Sequence, residues 1–161
     1  MTKIIGIDPG LAATGIGVVQ GFDVNVSGYS YGGIYTSKDM SLPNRLDFIY
    51  SKLTEVLQSQ KPDMMVVEDV FSMEKYPKSG IALGKVTGVI LLAGCKAGLP
   101  VIEISVREAK QVITGNGNAT KSQLETAVRN LLNQSKAIRP FHASDALGLA
   151  LIGLYRNKTG V

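Results

Sequence analysis

Two apolar runs that each end in acidic residues constrain the fold more than any other feature of this sequence. Residues 3–8, ending at Asp8, are predicted to form a buried strand. Residues 64–68, ending at Glu68, are mostly apolar without alternation, as in a parallel strand buried on both faces. A third acid, Asp145, lies in a stretch with helical apolar periodicity. Because such elements can meet at one edge of a sheet, the three acids are predicted to converge.

Converging carboxylates would repel one another unless a cation lies between them. Divalent ions with oxygen ligands are the usual reason for such an arrangement. Other interpretations exist for each acid: Asp8 stands before a Pro-Gly pair and could be a turn residue, and Asp145 could favour a helix dipole. Glu68 also competes with Asp69, because adjacent strand residues point to opposite faces.

The remaining apolar patterns predict an α/β protein with a mixed five-stranded sheet and helices on both faces. The length of 161 residues matches one domain, 1–161, built around a single core. The other predicted strands cover residues 15–20, part of 24–36, and 100–104. The predicted helices cover residues 41–60, 79–98, Val106–Thr114, 121–132 and a last stretch that begins near His142.

The predicted helix over residues 79–98 has glycine at five positions and apolar residues around much of its circumference. A helix that is apolar on most sides is buried in a core or associates with another surface. We therefore expect this helix to be buried or self-associating.

Charge is unevenly distributed along the chain. Residues 1–70 carry five basic and eight acidic side chains, whereas residues 71–121 have a net charge of +4 and residues 122–161 a net charge of +3. An acidic centre framed by basic segments suits an enzyme that acts on a polyanion, although the same charges could serve solubility alone.

Cys95 is the only cysteine, so the chain has neither a disulfide framework nor a cysteine zinc cluster. The N-terminal segment has no signal-peptide pattern, and the apolar run between Lys85 and Lys96 is shorter than a bilayer span. These features predict a cytoplasmic protein without a membrane partner.

Four segments, IGIDPGLAATGIGVV, VVEDVF, GNGNATKSQ and HASDALGLAL, occur in an order that resembles the RuvC family of Holliday junction resolvases. The resemblance runs nearly end to end and implies a ribonuclease H-like fold. It also implies an endonuclease of homologous recombination and DNA repair that resolves four-way junctions by symmetric paired nicking. The expected products are nicks with a 5′-phosphate and a 3′-hydroxyl.

The resemblance assigns family acids to Asp8, Glu68 and Asp145, and the remaining ligand position to His142, where many relatives carry Asp. It selects Glu68 over Asp69. Two Mg²⁺ ions roughly 3.5–4 Å apart are expected at these ligands. Imidazole is a common metal ligand, and at a helix N-terminus the dipole favours its neutral form. Because a nitrogen donor suits Mn²⁺, we expect Mn²⁺ to be accepted and to support more activity than at an all-carboxylate site, with activity lost below neutral pH.

The resemblance also implies DNA contacts. An exposed aromatic among lysines can stack on an unpaired base, and a Phe at position 71 reaches into the opened junction in the family. Lys110 and Lys121 match family lysines near the scissile phosphate, and Lys121 is favoured because it follows a Gly- and Asn-rich loop that could let a phosphate approach the backbone. A core aromatic and solvated lysines are the ordinary alternatives. The predicted DNA-binding residues are Phe71, Lys75, Lys78, Lys85, Lys110 and Lys121.

A four-way junction has two symmetry-related strands to cut, so a homodimer is expected, with the glycine-rich helix as its interface. Family resemblance adds the branch-migration proteins RuvA and RuvB as partners. Two alternatives stay open: a related ribonuclease H-like nuclease that processes pre-ribosomal RNA, and a junction-binding module without catalysis. An actin-like ATPase would need a second lobe and a second glycine-rich phosphate turn, and this sequence contains neither.

Overall fold

The computed structural model describes residues 1–70 and 77–157. The predicted strands and helices are all present in these ranges, with ends shifted by one or two residues. The strands are β1 Thr2–Asp8, β2 Ala13–Phe22, β3 Asn25–Tyr35, β4 Met64–Asp69 and β5 Val101–Ser105. The helices are α1 Leu42–Gln60, α2 Pro77–Lys96, α3 Val106–Thr114, α4 Lys121–Leu131 and α5 Phe141–Arg156.

The five strands form one mixed sheet in the order β3-β2-β1-β4-β5, which confirms the predicted sheet. Strands β1, β2 and β3 pair antiparallel, whereas β4 runs parallel to β1 and β5 parallel to β4. In the β1–β4 ladder Ile7 is opposite Val67. Asp8 and Glu68, each one residue further on, therefore leave the ladder side by side at the same end of the sheet.

Helices cover both faces of the sheet, as expected for this fold class. The first face packs on α1 and α2 through buried residues such as Ile49, Leu53 and Ile90. The second face packs on α3, α4 and α5. Strand residues alternate between the two layers: Ile4 and Val66 belong to the α5 layer, whereas their neighbours in sequence belong to the α1 layer. This alternation decides which acids face which helix.

Helices α1 and α4 each begin at a hydroxyl side chain that caps the first turn. The side chain of Ser41 accepts a hydrogen bond from the backbone N–H of Asn44 and begins α1. Thr120 and Gln123 form a reciprocal capping box at the start of α4. Because this cap fixes the first turn of α4, it also fixes the backbone of Lys121.

Helix α2, expected to be buried or self-associating, is buried on one side, and its self-association stays a prediction. Val86, Ile90 and Ala93 lie in the core, whereas Ile81 and Leu92 are 62% and 49% exposed. By length and composition alone, Lys78–Lys96 could cross a membrane. Core helices of soluble proteins meet the same criterion, and the buried side of α2 contacts α1.

Helix α5 approaches the sheet more closely than side chains would permit. A Cβ added to Gly6 would collide with the carbonyl oxygen of Ala146, and one added to Gly15 with the carbonyl oxygen of His142. Gly15 is the ladder partner of Asp8. Because these two glycines have no side chain, the N-terminal turn of α5, with its polar residues, packs directly against the end of β1.

Candidate metal centre

Three of the predicted acids line one cavity of about 260 Å³ at the end of the sheet. Asp8 comes from β1, Glu68 from β4 and Asp145 from the first turns of α5, and all three are half-buried. Apolar residues of α3, α4 and α5 complete the wall, namely Val106, Ala109, Leu124 and Leu149. The cavity thus combines acidic groups with surroundings that exclude much of the water.

Strand alternation explains why Glu68, and not Asp69, reaches this cavity. Val66 belongs to the α5 layer, so Glu68, two residues later, points to the same side of the sheet. Asp69 points the other way and lines a second cavity with Leu83 and Arg107, which Glu68 borders as well. The ambiguity between these two acids in the sequence is resolved by the face on which α5 packs.

Burial and the nearby charge of Glu68 make Asp8 and Asp145 hard to ionise. Burial raises the pKa of Asp8 far above its usual range, and the protonated carboxyl donates a hydrogen bond to Glu68. Burial also raises the pKa of Asp145 to about 6, with the negative charge of Glu68 as the second cause. Lys121 acts in the opposite direction on both aspartates. A site that favours protons in this way also favours a bound cation.

One carboxylate oxygen in the site has no partner. Oδ1 of Asp145 is buried and accepts no hydrogen bond from the described residues. Buried polar oxygens are normally paired, so this atom needs a ligand. Together with the two other acids it offers the hard oxygen donors that Mg²⁺ and similar ions prefer. The donor set therefore fits a divalent cation.

The acids do not form a closed ligand shell. Within residues 1–70 and 77–157, no three His, Cys, Asp or Glu side chains are close enough to hold one ion as they stand. The shared cavity is the stronger indication, because the backbone positions that create it depend on the ladder and on α5 rather than on side-chain rotamers.

Two predicted lysines, Lys110 of α3 and Lys121 of α4, line the same cavity. Lys121 is the first residue of α4, where unpaired backbone N–H groups and the helix dipole favour anions. The cavity is therefore lined by three acids and two lysines together. The positive charge of the lysines suits a phosphate group that must approach the carboxylates.

His142 is not among the residues that line the cavity. Its ring lies beside Tyr35, with 3.2 Å between the Tyr35 hydroxyl and Nε2. Burial, and then the positive charge of Lys121, lower the pKa of His142. The ring is therefore neutral at neutral pH, and it lies close enough to the cavity-lining Lys121 to be influenced by its charge. Sequence reasoning did not identify Tyr35, which carried no motif.

The other predicted DNA contacts lie outside the cavity. Phe71 and Lys75 fall outside the described residues. Lys78 and Lys85 are exposed on α2, beyond the cavity wall. A larger groove of about 500 Å³ lies between β3 and α1, but Glu55 is the one acid among its described lining residues. That groove lacks the donor set of a metal centre.

A buried acid outside the cavity was also missed. Glu125 of α4 is 2% exposed and accepts a hydrogen bond from the backbone N–H of Ile138 at 2.9 Å. Its carboxylate lies 3.0 Å from Nε of Arg129 and 3.7 Å from Nη1 of Arg139. This acid holds the segment that leads into α5. A charged residue on the apolar side of a predicted helix was the signal that could have revealed it.

Comparison with known proteins agrees along nearly the whole chain. Residues 4–153 match the family model described as crossover junction endodeoxyribonuclease RuvC. Proteins of that name from Syntrophomonas wolfei and Pectobacterium carotovorum are 37% and 38% identical to the chain. The alignment with the first covers 95% of this chain and 88% of the relative. The alignment with the second covers 99% and 90%.

Solved structures give the same result. The structure of T. thermophilus RuvC in complex with a Holliday junction substrate matches with a TM-score of 0.89 and 29% identity, covering 99% of this chain and 97% of that one. The yeast mitochondrial Holliday junction resolvase Ydc2 matches with a TM-score of 0.61 at 9% identity, over 96% and 79% of the two chains. At that identity the likeness concerns the fold alone.

Proposed function

The chain belongs to the RuvC family of crossover junction endodeoxyribonucleases, and we propose that it resolves four-way DNA junctions by symmetric paired nicking at the cavity lined by Asp8, Glu68 and Asp145. The products are nicks with a 5′-phosphate and a 3′-hydroxyl. The enzyme is a Holliday junction resolvase that acts in DNA recombination and repair. The family match over residues 4–153 favours this function over RNA processing and over an actin-like ATPase.

One observation carries the assignment of the site: three carboxylates and two lysines line the same cavity, and one buried carboxylate oxygen lacks a partner. In a junction-binding module without catalysis, acids in the binding cavity would only repel the DNA phosphates and weaken binding. Acids in that position are useful when a cation intervenes. The arrangement therefore supports catalysis rather than binding alone.

The nuclease is metal-dependent, as its family is. In our proposal Asp8, Glu68 and Asp145 hold two Mg²⁺ ions, with Mn²⁺ accepted, and His142 is the fourth ligand. When bound, such ions activate water and stabilise the leaving oxygen of a phosphodiester. The protein supplies the position of the carboxylates, which is set by strand ends and by α5. The apolar wall limits the access of other water molecules.

The lysines act on the substrate. Lys121 and Lys110 neutralise the charge of the phosphate that enters the cavity, and the N-terminus of α4 offers N–H groups to the same anion. Lys121 is the group we assign to the scissile phosphate, because it influences Asp8, His142 and Asp145 electrostatically. Phe71, Lys75, Lys78 and Lys85 remain proposed contacts to the arms and to the opened centre of the junction.

Two copies of the chain would place two such sites on the two strands to be cut. We propose a homodimer that uses the exposed side of α2, where Ile81 and Leu92 stand with the exposed Gly84 and Gly88 between them. Small residues allow close approach and the apolar side chains supply buried area. Sedimentation of the wild type against Leu92→Glu tests this interface, since a charge there should yield monomers.

We also propose that the chain forms one nuclease domain, 1–161, that it works in the cytoplasm, and that it cooperates with RuvA and RuvB. Limited proteolysis tests the first, because a single domain should give no stable half-length fragment. Cell fractionation tests the second, and co-purification with RuvA and RuvB tests the third.

The decisive experiment uses synthetic four-way junctions and linear duplexes of the same sequence. The wild type should nick the junction symmetrically, and chelator or Asp8→Asn should abolish cutting while junction binding survives. Cutting of the linear duplex at the same rate would contradict structure selectivity. Junction cutting by Asp8→Asn at the wild-type rate would contradict the assigned site.

A further inference from the structure

The single histidine of the chain contacts a tyrosine at the end of the edge strand β3. The hydroxyl of Tyr35, the last residue of β3, lies 3.2 Å from Nε2 of His142. The two rings meet edge to face, with centroids 5.7 Å apart and planes at 64°. This pair combines a hydrogen bond with an aromatic contact, so it fixes both the position and the tilt of the imidazole.

Two glycines create the space for this contact. Gly15 of β2 is paired with Gly33 of β3 in the ladder. A Cβ on Gly15 would collide with the backbone of His142, and a Cβ on Gly33 would lie 3.0 Å from both Cζ and the hydroxyl of Tyr35. Because neither glycine has a side chain, the start of α5 and the Tyr35 ring can both pack on this pair of residues.

The same ladder leads directly to the acidic site. Asp8 is the ladder partner of Gly15, which in turn pairs with Gly33. The row from Asp8 across the sheet therefore ends at the glycine over which the Tyr35 ring lies. Asp145 lies three residues after His142, one helical turn along α5. The Tyr35 ring therefore contacts the same end of α5 that carries this acid.

We propose that Tyr35 is a positioning residue for His142, which it holds through Nε2 so that Nδ1 is the ring nitrogen left for the chemistry of the site. The proposal rests on the proposed function. A neutral imidazole has one nitrogen that donates and one that accepts. When Nε2–H donates to the Tyr35 hydroxyl oxygen, Nδ1 has the free lone pair that a metal requires. When Nε2 accepts from the hydroxyl, Nδ1–H can donate to a phosphate. Residues that orient a metal-binding histidine in this way commonly matter about 10- to 100-fold for affinity or activity.

The first test reads the histidine itself and needs no metal. Because His142 is the only histidine, its ring nitrogens can be assigned without ambiguity by ¹⁵N NMR in the presence of chelator, at a fixed pH where the ring is neutral. Tyr35→Phe keeps the ring and removes the hydroxyl. We expect the Nε2 resonance to move to that of a solvated imidazole, with the fold unchanged.

Tyr31→Phe is the matched control. Tyr31 lies on the same face of β3, four residues before Tyr35, and is 42% exposed. It should leave the His142 spectrum unaltered. A Tyr35→Phe spectrum identical to the wild type would overturn the proposal. So would the absence, in the wild type, of nuclear Overhauser contacts between the protons of the two rings.

The second test is a double-mutant cycle on junction cutting. Tyr35→Phe should lower the cleavage rate about tenfold in the wild type and should lower it no further in a His142→Ala background. Equal losses in both backgrounds would mean that Tyr35 acts on DNA independently of the histidine, and the proposal would fall. If the wild type cut no junctions, the proposed function would fail, whereas the NMR result would still decide whether Tyr35 fixes the ring.

Discussion

Asp8 and Glu68 lie side by side at the ends of two parallel strands, where burial and then a hydrogen bond to Glu68 raise the pKa of Asp8. The negative charge of Glu68 disfavours ionisation of Asp8 as well. Asp145 stands against the same cavity and adds a third carboxyl. The metal-free protein therefore stores electrostatic repulsion at one end of its sheet, and a bound cation relieves it.

This repulsion should make the metal-free protein less stable as pH rises. The pKa of Asp145 is raised from 3.8 to about 6 in the folded protein, so the folded state binds this proton more tightly than the unfolded state does. Its contribution to stability is complete below pH 3.8 and is lost as pH rises through about 6. In chelator, Asp145→Asn should therefore unfold a few degrees above the wild type at pH 7, with little difference at pH 4. Equal Tm values at pH 7 would contradict the prediction.

Glu68 and Asp69 provide a matched test of the site. Glu68→Gln should reduce junction cutting at least about 100-fold, because the loss of a metal ligand removes several kcal/mol of transition-state stabilisation. Asp69→Asn, on the opposite face of β4, should stay within a few-fold of the wild type. Cleavage rates with Mg²⁺ at saturating enzyme check both variants. Similar losses in the two variants would contradict the assignment of Glu68.

His142→Asp should change the metal preference. Exchanging a nitrogen donor for a carboxylate is expected to lower, several-fold, the ratio of the Mn²⁺-supported rate to the Mg²⁺-supported rate. The measurement is single-turnover cleavage with each ion. Since the pKa of His142 is lowered from 6.5, the loss of wild-type activity that the histidine causes should begin below that pH. An unchanged metal ratio would argue against ligation by this residue.

Glu125→Ala should destabilise the fold by about 2–3 kcal/mol, since it leaves the N–H of Ile138 and a partly buried guanidinium without their partner. Urea denaturation measures this free energy. The control is Glu55→Ala, which removes an exposed ion pair with Lys52 and should cost at most about 0.5 kcal/mol. Comparable costs in both variants would mean that Glu125 does not hold the segment before α5.

Gly15→Ala should cost about 1–3 kcal/mol of stability, because the added methyl group pushes the start of α5 away from the sheet. Junction cutting should fall with it, since His142 and Asp145 move together. Gly32→Ala on β3, where a methyl group meets nothing within 4 Å, is the control and should be close to neutral. Thermal unfolding and cleavage assays on both variants decide the point.

Much of the fold could be predicted because strands and caps are local in origin. The apolar runs ending at Asp8 and Glu68 predict the strands, and Ser41 predicts the start of α1. The convergence of Asp8 and Glu68 also followed from the sequence, since ends of parallel strands meet at one edge, and Asp145 was expected to join them from a helix. These predictions need little knowledge of distant contacts.

Other features depended on tertiary packing. The exposed side of α2 could not be separated from its buried side by hydropathy, because both are apolar. The orientation of the His142 ring is set by Tyr35, more than a hundred residues away, and nothing in the local sequence records that contact. The choice between Glu68 and Asp69 followed from family resemblance, whereas its physical cause is the face on which α5 packs.

The close seating of α5 on Gly6 and Gly15 has a consequence for protein engineering. Carbonyl oxygens of the helix touch the strands directly at these glycines, so the backbone under His142 and Asp145 has almost no freedom to shift. New specificities for ions or substrates will therefore have to be sought by exchanging side chains at those two positions. Libraries that vary the length or tilt of this helix should yield mostly misfolded variants.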